Sequence, residues 1–357
     1  MSSAFLLLPS LSLFPLSEPS TDWQLFSHNQ AFGYSQDNAI YPLVKGEKMM
    51  YTLAKHAITF NQAELGIRYQ HFSFSLLSRY EWYLRFSPDT MRLYGESVNR
   101  QDMQTGKIYD IDLRAEHLIS RGIKLAWTSD ASQPLIWHFS ASYLQASEMM
   151  SGRLRGQAGE NGQDEYNGLL ELDYTYTEDA LLKREVEAPS SYLGYTTDVG
   201  VSWQFHEHAF ASLLVQDAYS AIYWQDMPYT SATANTATAE TDENGFVSIK
   251  PLVNGVEGFR DETQRLPVKY HARVGLINGQ QAYGIKSLYV DKLWLTDLEW
   301  TSQWRNNLHS RLSYNWQTGA IGVEGRWRWF TLGIKSDHIN YQQATFLALN
   351  LGIVVDF

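Results

Sequence analysis

Cysteine is absent from the 357 residues. That removes disulfide frameworks, cysteine-ligated zinc, iron–sulfur clusters and thiol nucleophiles together. No apolar run approaches about 18 residues, so helical membrane spans are excluded. Basic residues are in deficit: 28 Lys and Arg stand against 39 Asp and Glu, a net charge of −11. A general nucleic-acid binder needs the opposite balance. Catalytic signatures are missing as well, with no Gly-x-Ser-x-Gly, phosphate loop, dinucleotide fingerprint or metal-ligand cluster. His206-Glu207-His208 sets two imidazoles on one strand face, but at a tight turn and without further ligands. The chain reads as non-enzymatic and free of cofactors.

What is present is aromatic and alternating. Aromatics make up 14% of the chain, with 22 Tyr, 16 Phe and 12 Trp. A mean hydropathy of −0.34 resembles that of a soluble protein. A transmembrane barrel gives the same average, because its strands alternate apolar and polar residues. In the last thirteen residues, Leu347, Leu349, Leu351, Ile353, Val355 and Phe357 share one strand face. Ala348, Asn350, Gly352, Val354 and Asp356 share the other, over a membrane-crossing length of ~9–11 residues. Similar alternation recurs from about residue 63. Tyr80, Trp82 and Leu84 oppose Glu81, Tyr83 and Arg85, and Val268, Tyr270 and Ala272 oppose Lys269, His271 and Arg273. Trp137, Trp203, Trp316, Tyr174 and Tyr176 are expected on outward faces or strand ends, where aromatic girdles meet lipid headgroups.

At its C-terminus the chain resembles Gram-negative outer-membrane β-barrel proteins. Their last strand carries an assembly signal of a polar residue, a glycine and alternating hydrophobics ending in an aromatic. Asn350-Leu351-Gly352-Ile353-Val354-Val355-Asp356-Phe357 matches it through Asn350, Gly352, Val355 and Phe357. The resemblance implies an all-β closed antiparallel transmembrane barrel in the outer membrane, contact with lipid, and delivery to the barrel-assembly machinery. Single-chain bacterial barrels have even strand numbers, and the spacing here predicts about 12–14 strands.

Three segments follow. Residues 1–20 are expected to be a signal peptide around the apolar run of residues 5–16; no Lys or Arg precedes Phe5, which leaves the assigned start in question. Residues 21–55 do not alternate cleanly and are expected as a periplasmic lead-in or a segment entering the lumen. Residues 56–357 form the barrel. Short turns are expected at 205–208, 278–280 and 305–307, on the periplasmic side. Long outside connections are expected at 87–105, 180–191 and 227–266. A phase slip within Ala320–Ser336 demands a bulge or turn, placed near Gly325.

Charges opposite the apolar faces belong inside, since Arg or Lys facing lipid near the midplane costs about 2–4 kcal/mol. The expected lumen residues are Glu81, Arg85, Asp110, Asp112, Arg114, Glu171, Asp173, Lys269, His271, Arg273 and Arg311. They line a water-filled pore for small polar solutes, or form a salt-bridged plug. Eight strands already fill with side chains, so the larger count favours a pore. A scaffold presenting acidic surface loops is the second reading, and an outer-membrane hydrolase the third.

Overall fold

The period-two pattern becomes a closed wall. The computed structural model describes residues 23–130, 132–160, 166–179, 185–187, 190–235, 239–241, 247–249, 252–304 and 308–357. The expected signal peptide lies outside them. The wall begins with β1 (Trp23–Ser35), β2 (His56–Tyr69), β3 (Phe72–Phe86), β4 (Ile108–Thr128) and β5 (Leu135–Glu160). Next come β6 (Tyr166–Tyr176), β7 (Leu193–His206) and β8 (Ala209–Asn235). A hairpin of β9 (Ala239–Thr241) and β10 (Val247–Ile249) precedes β11 (Leu252–Gln264), β12 (Lys269–Asn278), β13 (Gln281–Val290) and β14 (Leu293–Gln303). The wall ends with β15 (Leu308–Asn315), β16 (Ile321–Trp327), β17 (Phe330–Ser336) and β18 (Phe346–Asp356).

Neighbours pair antiparallel, and β18 closes on β1 from Gln24↔Asp356 to Tyr34↔Phe346. β6 and β7 occupy the upper and lower parts of one stave between β5 and β8. β11 and β12 share another stave, alongside β8. The barrel therefore has 14 staves, the upper end of the expected range. Here the lower end is the one that holds the starts of β1 and β3 and the end of β18.

Residues 21–55 are corrected. Residues 36–55 connect β1 to β2 and carry a short helix. Trp23–Ser35 is the first wall strand and not a lead-in or a lumen segment, because β1 hydrogen-bonds along its length to both β18 and β2. Its outward phase runs Leu25, Ser27, Asn29, Ala31 and its inward phase Phe26, His28, Gln30, Phe32. Neither is uniformly apolar, which hides the alternation.

A two-residue turn, Asp291-Lys292, joins β13 to β14 at the upper end, and further short turns occur at the lower end. Gln70, Gly279 and Arg328 take positive φ at 53°, 60° and 50°. Residues 207–208 also turn there, while 305–307 lie outside the described residues. The turn expected near Gly325 is at Arg328-Trp329; Gly325 lies within β16. Trp327 faces Phe330 across this two-residue turn, and that accounts for the phase slip. The wall is uneven in height. β5 has 26 residues and β8 has 27, whereas β16 and β17 have 7 each. Much of the loop expected at 227–266 is wall, since β11 pairs with β8 from Leu252↔Asn235 to Gln264↔Ile222. The acidic stretch 242–244 lies outside the described residues.

The connection 87–105 contains a helix the strand rhythm did not announce, α2 (Pro88–Asn99), which follows the short α1 (Ile40–Lys45). Ser87 caps α2 by accepting from the Thr90 amide at 3.0 Å, with Pro88 at the first helical position. Met91 is buried against Met49 and Ala54. Lys107 donates to Asp89 at 2.7 Å, and that bond holds the Asp89 carboxyl below the usual carboxylate range. Two expected outward aromatics are covered instead. Tyr174 and Tyr176 are buried and stacked at 4.5 Å, with Tyr174 donating to Asp179. Trp137, Trp203 and Trp316 face outward as expected.

Candidate functional site

The lumen holds three layers. The first is a strut of charge from one wall to the other. Arg79 and Glu81 project inward from β3, Asp217 from β8 and Lys269 from β12. The two Arg79 Nη atoms donate to the two Asp217 carboxylate oxygens at 2.7 and 2.6 Å, and Arg79 Nε donates to Glu81 at 2.7 Å. Lys269 Nζ donates to Asp217 at 2.6 Å and to Glu81 at 3.3 Å. Tyr83 and Thr196 donate to Glu81 and Asp217, each at 2.7 Å. Asp217 reaches the strut from a break in register: its φ is +56° and the β7–β8 pairing shifts beside it. A lone buried ion costs several kcal/mol; here each has an opposite partner and further hydrogen bonds.

The second layer is apolar and lies at the upper end. Phe32, Tyr34, Ile58 and Phe60 from β1 and β2 form one cluster with Val290, Leu293 and Leu295 of the opposite wall, and with Phe346. Behind the strut, Leu77, Leu118, Leu144, Ile222, Trp224 and Leu266 fill the β4–β8 side. Gln264 Nε2 also spans the lumen there, donating to the His117 carbonyl at 2.7 Å.

The third layer is a polar cavity of about 430 Å³. Phe32, Phe60, Leu295 and Phe346 form its upper lining, and it extends down to Gln24, Arg326 and Val354. Cross-strand ion pairs line its walls. Arg273 meets Glu299 at 2.6 Å, Arg311 meets Glu324 at 3.1 Å, and Lys335 pairs with Asp297. Lys124 bridges Glu64 and Asp198, both at 3.2 Å. Asn350 donates to Glu324 at 2.9 Å, and His28 lies 3.0 Å from Asn350. Side chains thus fill one part of the lumen and leave a cavity in another.

Of the expected lumen residues, Glu81 and Lys269 belong to the strut, and His271, Arg273 and Arg311 line the cavity. Arg85 sits at the rim, 3.4 Å from Asp291. Asp110, Asp112, Glu171 and Asp173 keep the inward phase but lie beyond the end of β3, on the tall part of the wall, with Arg114 at its foot. All of these but Asp110 are paired there: Asp112 with Arg153 at 2.8 Å, Glu171 with Arg155 at 2.7 Å, Asp173 with Arg260 at 3.0 Å, and Arg114 with Glu116 at 3.2 Å. Strand phase reports which way a side chain points, while height depends on strand length, and β4, β5, β6, β8 and β11 together run far past β3. The sequence reading missed Arg79, Asp217, Glu64, Lys124, Lys286, Glu299 and Glu324. Arg79 was within reach, being in phase with Glu81.

No family model matches the chain, and no curated protein matches it either. Solved structures do resemble it at low identity. The TodX deltaS2S3 mutant monoaromatic hydrocarbon channel shares 10% identity at a TM-score of 0.47, covering 98% of this chain and 93% of that one. The P. putida toluene transporter TodX shares 8% identity at 0.43, covering 97% and 91%. The translocator domain of the autotransporter NalP from Neisseria meningitidis shares 9% identity at 0.29, covering 95% and 90%.

Proposed function

We propose that the protein is an integral outer-membrane β-barrel that passes small polar solutes through its lumen, as a porin-like channel of narrow bore. The observation that supports this most is the charged 430 Å³ cavity inside a wall whose outward residues are mostly apolar. Leu349, Ile353 and Val355 are exposed on β18 while Asn350 faces the cavity, as lipid on one side and water on the other require. A mixed lining of ion pairs selects by charge and size, and the apolar layer above it limits flow by dewetting. In planar bilayers the purified barrel is expected to give small, discrete conductance steps. Absence of steps at every voltage would sink the channel reading.

The final strand serves in this proposal as the assembly signal, through Asn350, Gly352, Val355 and Phe357. Removing Phe357 is expected to lower the folded barrel recovered in outer-membrane fractions, with unchanged synthesis. Unchanged recovery counts against that role.

A second reading draws on the tall wall, whose charged face stands beyond the rim: a platform for surface contacts. Deleting residues 231–256 in register (Ser231 pairs with Val256) would remove the β8–β11 part of the platform, which the charged pairs of β4–β6 adjoin, and spare the lumen. Loss of phenotype with unchanged conductance favours the platform; unchanged phenotype removes it.

A further inference from the structure

The chain carries −11 overall, but its cavity carries the opposite sign. Eight Lys and Arg side chains line it against five Asp and Glu. Counting the buried Arg79, Glu81 and Asp217 behind Lys269 makes nine against seven. The carboxylates of the lining are all engaged by cations: Glu64 and Asp198 by Lys124, Asp297 by Lys335, Glu299 by Arg273, and Glu324 by Arg311. Lys286 differs. It points inward from β13 directly opposite Arg273 on β12, and among the described residues it has no hydrogen bond or ion pair. Asp297, its other cross-strand neighbour, is already held by Lys335 and by the Asn315 amide at 2.7 Å. Two cations placed directly opposite each other repel, and Glu299, a carboxylate that Lys286 also acts on, is held by Arg273, so Lys286 has no carboxylate of its own among the described residues. His271 adds a second observation. It is a diagonal neighbour of Lys286, lines the same cavity, and its buried Nε2 has no hydrogen-bond partner among the described residues.

We infer that the cavity is a binding site for small anions, carboxylate or phosphate, with Lys286 as anchoring cation beside His271 and Arg273. This deepens the channel reading and rests on it for the statement that the conducted solutes are anionic. The focusing of field in a low-dielectric tube raises local anion concentration, and a lysine-lined constriction favours anion passage.

The test uses the full-length barrel, with folding checked by its heat-dependent gel mobility. Under a potassium chloride gradient in planar bilayers, the reversal potential is expected to show chloride preferred over potassium. Lys286→Gln lowers that preference severalfold, Lys286→Glu reverses it, and Lys286→Arg preserves it. In detergent, calorimetric titration with succinate and with inorganic phosphate gives the binding arm. Affinity for the preferred anion falls on the order of tenfold or more in Lys286→Gln, the loss of one charge-assisted contact. The stronger of the two ligands separates a carboxylate site from a phosphate site. Cation preference in the wild type, or selectivity and affinity unchanged in Lys286→Gln and Lys286→Glu, overturns the inference and leaves the channel reading standing. Anion binding that depends on Lys286 without conductance overturns the channel reading and keeps the site.

Discussion

Replacing Asp217 with Ala is expected to destabilise the folded barrel by about 3–5 kcal/mol, the cost of removing one member of a buried ion network. Asp217 accepts from Arg79, Lys269 and Thr196 at once. Without it, two buried cations share Glu81 alone. The thermal midpoint of the detergent-solubilised barrel, read by gel mobility and circular dichroism, is expected to fall markedly. Asp217→Asn separates charge from backbone geometry: asparagine tolerates the φ of +56° that most side chains resist, so the loss seen in this variant reports the charge. Adding Arg79→Ala to Asp217→Ala removes one stranded cation and is expected to recover part of the loss, the non-additivity that coupled groups show. A midpoint unchanged in Asp217→Ala would mean that the strut does not hold the walls together.

The fold was legible because a lipid-facing strand must be apolar at every second residue, and β18 writes this rule without interruption from Leu347 to Phe357. Strand phase also pointed to Glu81 and Lys269, which lie in the strut, and to His271, Arg273 and Arg311, which lie along the cavity. Three physical facts hid the rest. The lipid face of β1 carries Ser27 and Asn29 between Leu25 and Ala31, so the alternation dissolves in the stave that closes the barrel. Asp217 enters the lumen through a register shift, and a pattern of period two has no means of predicting where its own phase breaks. Height is the third. Asp112 and Glu171 obey the inward phase yet miss the lumen, because β4, β5 and β6 outgrow β3. Nothing local in a sequence says where the wall stops. Ion pairs such as Arg273–Glu299, which joins β12 to β14 across β13, become visible only once the register is set.

Opening the apolar layer is expected to have the largest effect on transport. Phe60 and Phe346 sit in the upper lining of the cavity from β2 and β18. Phe346 packs edge-on against Phe32 with ring centres 5.3 Å apart. Each ring also lies under a cavity cation: Lys269 Nζ is 4.8 Å from the Phe60 ring centre, and Lys335 Nζ is 4.8 Å from that of Phe346. Replacing both with Ala removes two ring volumes from the layer and opens to water the face of two ammonium groups that the rings cover. Water then bridges the polar cavity to the upper mouth, and the dewetting barrier falls. Single-channel conductance is expected to rise severalfold, and cells making the variant should become sensitive to small polar antibiotics that the wild-type barrel excludes. Buried Phe→Ala substitutions cost about 3–5 kcal/mol each, so the folded fraction must be measured alongside. Trp137→Ala, which removes an outward ring at the lower end, controls for general loosening and is expected to leave conductance unchanged. A folded double variant with wild-type conductance would place the path of solutes elsewhere than through this layer. A rise limited to Phe60→Ala would put the constriction on the β2 side, where the strut and the layer meet at Lys269.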